Sequence, residues 1–372
     1  MTAGPVPPGD PADAEELLAV RDLSVEFATD DGVVRAVRHV SFTVGAGEVL
    51  GVVGESGCGK SVTAASVIGL LPRTATVTGS IRFLGRELVG LPVRELRALR
   101  GNEIAMIFQD PMSALNPVHT VGAQLAEAYR AHRGSGRASR QEARDRAVEA
   151  LAQVGIPQPE RRADQYPHEF SGGMRQRAVI AMAIVNDPKL IIADEPTTAL
   201  DVTVQAQILE TLLAVRDRSG AAILLITHDL GVVAGVAGRV QVMYGGTVVE
   251  SGPVDDVFAD PRMPYTLGLL GSVPHPELVG RPLTPVPGAP PSPLRLPPGC
   301  TFTPRCPLVA PVCREREPAL SATDRPGHVT RCHRWPAVAG LEGPQQLFAR
   351  REIGHLDTAV DLVDVPAGGD AP

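Results

Sequence analysis

The first part of the chain alternates between apolar and polar positions with a period of two. Such alternation is typical of strands with one buried face, and it predicts β-structure over residues 17–44 with a turn at the Asp-Asp-Gly of residues 30–32. Its apolar members are Leu18, Val20, Leu23, Val25 and Phe27. The preceding residues 1–16 are rich in proline, alanine and acidic side chains, and they are predicted to form a disordered leader.

Apolar runs and amphipathic patterns alternate through the middle of the chain. The apolar runs predict buried parallel strands at residues 49–53, 190–193 and 222–226, with a shorter strand at 106–108. The other patterns predict helices at residues 91–100, 140–154 and 205–216. Residues 17–252 are therefore predicted to form an α/β domain built on a sheet, with a helical insertion near residues 95–180.

The composition changes after Gly252. Prolines become dense up to Pro298, which predicts an extended segment that wraps or links rather than one that forms a core. A group of cysteines follows. We therefore predict a C-terminal extension over residues 253–336 and a flexible tail over residues 337–372.

Composition and charge exclude several classes of protein. Hydrophobic residues make up 44% of the 372, enough for a large core. The formal net charge of −7 argues against nucleic acid as the main partner. No apolar run approaches the roughly 18–20 residues that span a bilayer, and the N-terminus lacks the basic and apolar regions of a signal peptide. The expected location is the cytoplasm, with membrane contact through partners.

Residues 54–61, Gly-Glu-Ser-Gly-Cys-Gly-Lys-Ser, match a phosphate-binding pattern between a predicted strand and a predicted helix. Glycines allow backbone N–H groups to face inward around phosphate oxygens, and the following helix adds its positive end. Lys60 is predicted to reach the β- and γ-phosphates, and the Ser61 hydroxyl is predicted to coordinate Mg²⁺. A glycine-rich turn beside a chance lysine is the alternative.

The apolar strand at residues 190–193 leads into two carboxylates, Asp194 and Glu195. In ATPases with such a phosphate loop, the first carboxylate supports Mg²⁺ and the second can polarise the attacking water. A strand that ends at a solvated acidic turn would look the same. The prediction therefore depends on the phosphate loop.

Residues 170–177, Phe-Ser-Gly-Gly-Met-Arg-Gln-Arg, form a Gly-Gly turn that opens a predicted helix. Ser171 is predicted to cap this helix, and its first amides would offer a second phosphate-binding surface. One ATP does not need two phosphate cradles on one face of one chain. The second cradle is therefore predicted to serve a nucleotide on another subunit, with an ordinary capped helix as the alternative.

Together these motifs resemble those of the nucleotide-binding subunits of ABC transporters over about residues 20–250. Gln109 matches the family's Q-loop, residues 199–201 match its D-loop, and His228 matches its switch histidine. The resemblance implies an α/β fold of the P-loop NTPase class. This ABC nucleotide-binding domain would have a RecA-like mixed-sheet core, an antiparallel β subdomain and a helical subdomain, followed by a small Pro/Cys-rich extension.

The resemblance also implies roles by position. Two such domains would close head to tail around ATP, Glu195 would be the general base, and His228 would contact the γ-phosphate. Phe27 would stack on adenine, with a core phenylalanine as the alternative. The implied catalytic residues are Glu195, His228, Lys60 and Gln109, with Mg²⁺ at Ser61, Gln109 and Asp194. The implied nucleotide-binding residues are Phe27, Gly54, Glu55, Ser56, Gly57, Cys58, Gly59, Lys60, Ser61, Val62, Gln109, Asp194, Ser171, Gly172, Gly173 and Asp201.

Three further segments, residues 109–117, 264–270 and 298–307, are similar to importers of dipeptides and oligopeptides. This resemblance implies an ATP-hydrolysing subunit that energises peptide uptake from the cytoplasmic side of the plasma membrane. Its implied partners are two integral membrane permeases, a second ABC ATPase and, indirectly, an extracellular substrate-binding protein. The alternatives are the same role for nickel or a glutathione-like solute, an exporter ATPase, a soluble ABC ATPase, and a regulatory module in which ATP only gates an interaction.

The cysteines form two sets. In a reducing compartment a group of four suggests metal before disulfide, and the paired knuckles of zinc ribbons are absent. Resemblance to peptide importers favours a [4Fe–4S] cluster, with zinc and unliganded thiols as alternatives. The group consists of Cys300, Cys306, Cys313 and Cys332. Cys58 stands alone, and its thiol is predicted to lie near the phosphate site and to be accessible without nucleotide.

Overall fold

The structure is a computed structural model that describes residues 16–110, 114–133, 138–198, 200–272, 283–341 and 343–348. Several sequence predictions fall outside these residues: the leader up to residue 15, residues 111–113 of the peptide-importer segment, Ala199 of the D-loop, and residues 349–372 of the tail.

The strands of the described residues form two sheets. They are β1 (Glu16–Thr29), β2 (Gly32–Gly45), β3 (Val49–Val53), β4 (Ala75–Phe83), β5 (Arg86–Glu87), β6 (Ile104–Ile107), β7 (Leu190–Asp194), β8 (Ala222–Thr227), β9 (Arg239–Tyr244), β10 (Thr247–Pro253), β11 (Ser321–Ala322) and β12 (Val329–Thr330). The smaller sheet is antiparallel with the order β2-β1-β4-β5. The larger sheet has the order β11-β12-β10-β9-β3-β8-β7-β6. It is parallel from β9 to β6 and antiparallel from β11 to β9.

The helices lie between these strands in chain order. They are α1 (Lys60–Val67), α2 (Val93–Leu99), α3 (Val121–Arg130), α4 (Arg140–Gln153), α5 (Pro159–Ala163), α6 (Gly172–Ile184), α7 (Val202–Ser219), α8 (Leu230–Val236), α9 (Val254–Ala259), α10 (Pro264–Leu270), α11 (Pro311–Glu315), α12 (Trp335–Val338) and α13 (Pro344–Phe348). None of the helices in the described part of the chain has both the length and the hydrophobicity to cross a lipid bilayer.

The two faces of strand β3 contribute to two different cores. Val49 and Val53 join the cluster on the helical side of the large sheet, whereas Leu50 and Val52 join the cluster shared with the small sheet. Successive side chains of a strand point to opposite faces, so a continuous apolar run fits a strand buried on both sides. This burial fixes the end of β3, from which the glycine-rich loop departs.

Helix α4 begins with a complete capping box. Ser139 accepts a hydrogen bond from the Glu142 N–H (3.0 Å), and the Glu142 carboxylate accepts one from the Ser139 N–H (3.3 Å). Its buried face packs with α3, α5 and α6 in the larger core cluster. The predicted helical insertion therefore contains a group of packed helices that ends in α6, the helix opened by the Gly-Gly turn.

The prediction that residues 253–298 do not form a core is wrong for the first part of this segment. Residues 254–259 and 264–270 form helices α9 and α10, which bury Val257 and Tyr265 in the main cluster. The prolines are compatible with helix because Pro264 stands in the first helical turn, where its missing N–H costs nothing. Residues 283–298 contain no helix or strand, and we call them the proline strap.

The extension also continues the large sheet. Strand β12 pairs with β10 at Glu250 and Ser251. Beside this ladder His328 Nε2 lies 2.8 Å from Glu250 Oε1, and both side chains are fully buried. A carboxylate buried in this way needs partners, and the Arg262 N–H also donates to it. The extension and the strands of the α/β domain therefore share one sheet and one core.

Candidate functional site

The phosphate loop (residues 54–61) leaves the end of β3 through positions that only glycine can occupy. Gly54 has φ 152° and Gly59 has φ 104°. A Cβ at Gly54 would lie 2.3 Å from the Met243 carbonyl oxygen, and one at Gly59 would lie 2.5 Å from that of Ala36. The loop is therefore tightly enclosed by the backbone of β9 and β2, which gives its amides a fixed arrangement.

Lys60 opens helix α1 and is almost fully buried, with 5% of its surface exposed. Its Nζ donates to the carbonyl oxygens of Gly54 (2.7 Å) and Glu55 (3.1 Å). The ammonium group thus lies against the loop that would receive phosphate. A phosphate oxygen would compete with these carbonyls for its protons.

Ser61 and Asp194 meet across the ends of β3 and β7. The Ser61 hydroxyl donates to Asp194 Oδ1 over 3.1 Å. Burial raises the pKa of the Asp194 carboxyl, with Glu195 raising it further and the hydrogen bond from Ser61 opposing the rise. A hydroxyl and a carboxylate are hard oxygen ligands of the kind Mg²⁺ prefers, and a divalent cation would offset the cost of the buried charge. The residues present therefore fit a magnesium site.

Glu195 brings two other predicted residues together. Its carboxylate accepts hydrogen bonds from Gln109 Nε2 (3.0 Å) and Thr198 Oγ1 (2.9 Å), and it lies 3.4 Å from His228 Nδ1. The residue has φ 48°, a left-handed conformation that costs energy outside glycine. Its backbone N–H donates to the Ile226 carbonyl (2.8 Å), which holds this conformation in place.

The Gly-Gly turn caps helix α6 beside the start of α7. Ser171 accepts from the Met174 N–H (3.3 Å), and Asp201 accepts from the Val204 N–H (3.0 Å). A Cβ at Gly173 would lie 2.9 Å from Val204, whereas one at Gly172 would meet nothing within 4 Å. The turn thus has one glycine packed against α7 and one facing open space.

Of three other predicted residues, two pack against the core and one faces open space. The Phe27 side chain is half-buried against the core shared by the sheets, opposite Val34 in the β1–β2 ladder. Val62 also packs partly buried against this core. Gly57 has φ 79°, and nothing lies within 4 Å of the place a Cβ would take. Their roles in nucleotide binding, like that of Ser56, remain predictions.

The predicted accessibility of Cys58 is wrong. Its side chain is 4% exposed and its Sγ lies 3.9 Å from Lys60 Nζ, so the thiol is close to the predicted phosphate site but buried in the protein. Burial raises the pKa of the Cys58 thiol. A Cβ at Gly54 would lie 2.8 Å from Cys58 Sγ, so the thiol packs against the first residue of the loop.

The four late cysteines occupy one region of the extension. The Cys300 N–H donates to the Cys313 carbonyl (2.8 Å), which ties two of them together through the backbone. Burial, aided by the neighbouring Cys306, Cys300 and Cys313, raises the pKa of the Cys332 thiol well above its usual range. Within the described ranges, no group of three or more His, Cys, Asp or Glu side chains is arranged to hold a metal ion.

The structure adds two residues that sequence reasoning did not assign to the site. The Tyr265 hydroxyl accepts a hydrogen bond from the Glu55 N–H (2.9 Å), and Arg305 forms an ion pair with the Glu55 carboxylate (2.7 Å). Both come from the C-terminal extension. Arg305 lies in the segment 298–307, and its charge between two cysteines was the one feature of the sequence that could have indicated a functional contact.

Two families match the sequence. One is described as ABC transporter and matches residues 37–198, and the other is described as oligopeptide/dipeptide transporter, C-terminal region, and matches residues 249–313. The oligopeptide transport ATP-binding protein OppD of Salmonella typhimurium is 51% identical over 322 residues, which cover 87% of this chain and 95% of that protein. The dipeptide transport ATP-binding protein DppD of Bacillus subtilis is 54% identical over 301 residues, or 80% of this chain and 89% of that protein.

Other matches differ in length. The OppD proteins of Mycobacterium bovis and Mycobacterium tuberculosis are 57% identical over 327 residues, which cover 87% of this chain but 53% of each relative. The chain therefore spans about half the length of these mycobacterial relatives. A solved structure, described as a dimeric post-hydrolysis state of the ATP-binding cassette MJ0796 bound to ADP and Pi, has a TM-score of 0.57 at 26% identity. The match covers 64% of this chain and 98% of the MJ0796 chain.

Proposed function

This chain belongs to the ABC transporter family of ATP-binding proteins, in the group with the oligopeptide/dipeptide transporter C-terminal region, and we propose that it hydrolyses ATP to drive uptake of peptides. Its fold is that of the ABC ATPases. The observation that carries the ATPase proposal is that two groups of predicted residues are in contact near the ends of neighbouring strands. Ser61 contacts Asp194, and Gln109 and His228 both contact Glu195. The match at residues 249–313 and the names of the relatives support peptides as cargo.

In the proposed binding step, the amides of the phosphate loop and Lys60 hold the phosphates of ATP. Ser61 and Asp194 would hold Mg²⁺, which neutralises phosphate charge when bound. Lys60 would exchange its bonds to the Gly54 and Glu55 carbonyls for bonds to phosphate oxygens. The side chain already lies on the loop, so little conformational entropy would be lost in this exchange.

In the proposed hydrolysis step, Glu195 accepts a proton from the attacking water. Its carboxylate accepts hydrogen bonds from Thr198 and Gln109, and His228 lies beside it. These contacts would orient the carboxylate, because hydrogen bonds to its oxygens restrict its rotation. His228, whose side chain is largely exposed, is free to turn toward the γ-phosphate.

We propose that a second ABC ATPase subunit, either a copy or a homologue, completes the site. The capped start of α6 is the group it would contribute, because Ser171 uses its hydroxyl as a cap and Gly172 faces open space. The first amides of a helix attract anions such as the γ-phosphate. The dimeric MJ0796 structure supports such an arrangement.

We propose that the chain works at the cytoplasmic side of the plasma membrane, bound to two integral permeases. A groove of about 800 Å³ lies at the end of the segment 109–117 and is lined by Leu115, Asn116, Gln124 and Met182. The Gln124 side chain holds this loop in place, because it accepts a hydrogen bond from the Asn116 N–H and donates one to the Asn116 carbonyl. A short helix from a permease would fit such a groove. An extracellular binding protein would deliver the peptide.

We also propose that the four late cysteines hold an iron–sulfur cluster. Four thiols in one region supply the donor chemistry that such clusters require, although in the described residues they are not already arranged around a centre. Anaerobic purification with assays of iron and acid-labile sulfide, together with a visible spectrum, tests this proposal. Stoichiometric zinc, or a colourless protein without metal, would overturn it.

The test of the transport proposal is purification of the tagged full chain from its native membranes. We expect two multi-span permeases and a second ABC ATPase to co-purify, and the reconstituted complex to accumulate labelled dipeptides or oligopeptides when ATP is present. Uptake of nickel or a glutathione-like solute without peptide uptake would show that the transported solute is not a peptide. A chain that co-purifies with no membrane protein would overturn the transporter role.

A further inference from the structure

A loop of the C-terminal extension contacts the phosphate loop directly. Arg305 lies between Cys300 and Cys306, and its side chain is only 5% exposed. Its Nη1 and Nη2 donate to the two carboxylate oxygens of Glu55 over 2.7 and 3.0 Å. A guanidinium that meets a carboxylate with two parallel bonds fixes its orientation as well as its charge.

The same guanidinium also holds the proline strap. Its Nε donates to the Pro287 carbonyl (3.0 Å), and Nη2 donates to the Val286 carbonyl (3.1 Å). The group stands over the Tyr244 ring at 5.8 Å. Arg305 therefore connects the cysteine region, the strap and the phosphate loop, and no single-point cation such as lysine could replace all of these bonds.

Glu55 is restrained through three of its groups. Arg305 holds the carboxylate, the Tyr265 hydroxyl accepts from the backbone N–H (2.9 Å), and Lys60 donates to the backbone carbonyl (3.1 Å). Tyr265 is fully buried and packs against Tyr244 and Phe302. The outer side of the loop thus rests on the extension.

The charge of Glu55 explains why such a contact matters. A carboxylate in a loop that receives phosphate would repel the nucleotide unless a cation neutralises it. Arg305 supplies that cation through its two hydrogen bonds to the Glu55 carboxylate. Its loss would leave a mobile negative charge in the proposed binding site.

We propose that Arg305 is a positioning residue for ATP: by pairing with Glu55 it sets the affinity of the phosphate loop for nucleotide. This role rests on the proposed ATPase function. It makes the C-terminal extension part of the nucleotide site, so displacement of Arg305 itself would alter ATP binding.

The test compares Arg305→Ala, Arg305→Lys, Glu55→Gln and the double variant Arg305→Ala/Glu55→Gln in the full chain. For each, binding of a fluorescent ATP analogue gives Kd, and steady-state hydrolysis gives KM and kcat. Arg305→Ala is expected to raise Kd and KM for ATP about tenfold with kcat changed less than about threefold, and Arg305→Lys to have a smaller effect in the same direction. The double variant is expected to recover most of the affinity, because it lacks the unpaired carboxylate.

Arg331→Ala is the matched control. Arg331 is a half-buried guanidinium of the same extension, but it donates to the carbonyls of Val248 and Pro318 rather than to the phosphate loop. The Arg331→Ala variant should have a lower thermal stability but the same Kd and KM for ATP as the wild type. A structural effect alone would make Arg305→Ala resemble this control, and Glu55→Gln would then give no recovery.

The outcomes separate the two proposals. A wild-type chain that binds no ATP overturns the proposed function and the role of Arg305 with it. A wild-type chain that binds ATP, with unchanged affinity in Arg305→Ala or no recovery in the double variant, overturns only the role of Arg305. If Arg305→Ala does not fold, Arg305→Lys decides the same question, since a KM unchanged in that variant refutes the need for two bonds to Glu55.

Discussion

Replacing Phe302 by alanine tests whether the C-terminal extension shares its core with the nucleotide domain. The Phe302 side chain is fully buried. Its ring lies 5.3 Å from the Tyr244 ring in an edge-on arrangement and 5.5 Å from the Tyr265 ring. Tyr244 belongs to β9 in the large sheet, so removal of the phenyl group opens a cavity at the junction of the two parts.

The expected cost is about 3–5 kcal/mol in the free energy of unfolding, the usual range for a buried phenylalanine truncated to alanine. Loss of the two aromatic contacts accounts for about 0.5–1.5 kcal/mol each within this total. Urea denaturation followed by circular dichroism measures the change. Leu294→Ala is the control, because Leu294 is 40% exposed in the proline strap and should change stability by less than about 0.5 kcal/mol.

Two results would refute this reasoning. A loss below about 1.5 kcal/mol would mean that the Phe302 site is not a well-packed part of the core. A separate early transition in the variant, with the main transition unchanged, would show that the extension folds on its own core. Either result would also weaken the structural basis for contact between Tyr265 and the phosphate loop.

Three further predictions follow from the site. Burial raises the pKa of the Asp194 carboxyl, so the contribution of this group to stability is present at acid pH and is lost as pH rises through the folded-state pKa. Asp194→Asn should therefore raise the melting temperature of the nucleotide-free protein at pH 7.5, with a smaller gain near pH 4. An equal or lower melting temperature at pH 7.5 would contradict this. Cys58 should react with maleimide far more slowly than a free thiol, because it is buried with a raised pKa, and fast labelling measured by mass spectrometry would contradict its placement. Ser171→Ala should lower hydrolysis by the assembled complex while the isolated chain keeps its affinity for ATP, and a weakened affinity of the isolated chain would contradict a role toward the partner's nucleotide.

The sequence predicted best those elements whose conformation is determined by the pattern of neighbouring residues. Residues 49–53 form β3 as predicted, and the predicted helix at 140–154 is α4, because continuous apolar burial and the helical period each leave a strong local signal. The glycine-rich loop and the capped Gly-Gly turn are also local, since backbone conformation and capping depend on neighbouring residues.

Strand β10 was not predicted because its sequence is polar where its environment is buried. Glu250 and Ser251 are both buried within it. The partners that make this possible are distant: His328 is 78 positions away in the chain, and the Arg262 backbone is 12 positions away. A buried polar strand can be recognised only when its hydrogen-bond partners are known.

The contacts of Glu55 with the extension were missed for the same reason. Tyr265 and Arg305 lie 210 and 250 positions from Glu55 in the chain. The motif at residues 298–307 predicted the family but not the contact, because a single sequence does not state which charge a buried arginine will meet. The convergence of Gln109 and His228 on Glu195 could be expected, since the ends of parallel strands meet at one edge of a sheet.

The most direct test of the central proposal is phosphate release from MgATP by the complex purified from its native membranes, compared between the wild type and Glu195→Gln. We expect Mg²⁺-dependent hydrolysis in the wild type and a loss of about 10²–10⁴-fold in the variant, with ATP still bound, because Glu195, which lies beside Gln109 and His228, is the residue proposed to accept the proton from water. Hydrolysis at the wild-type rate in Glu195→Gln, or a wild-type complex that binds no ATP, would contradict the proposal.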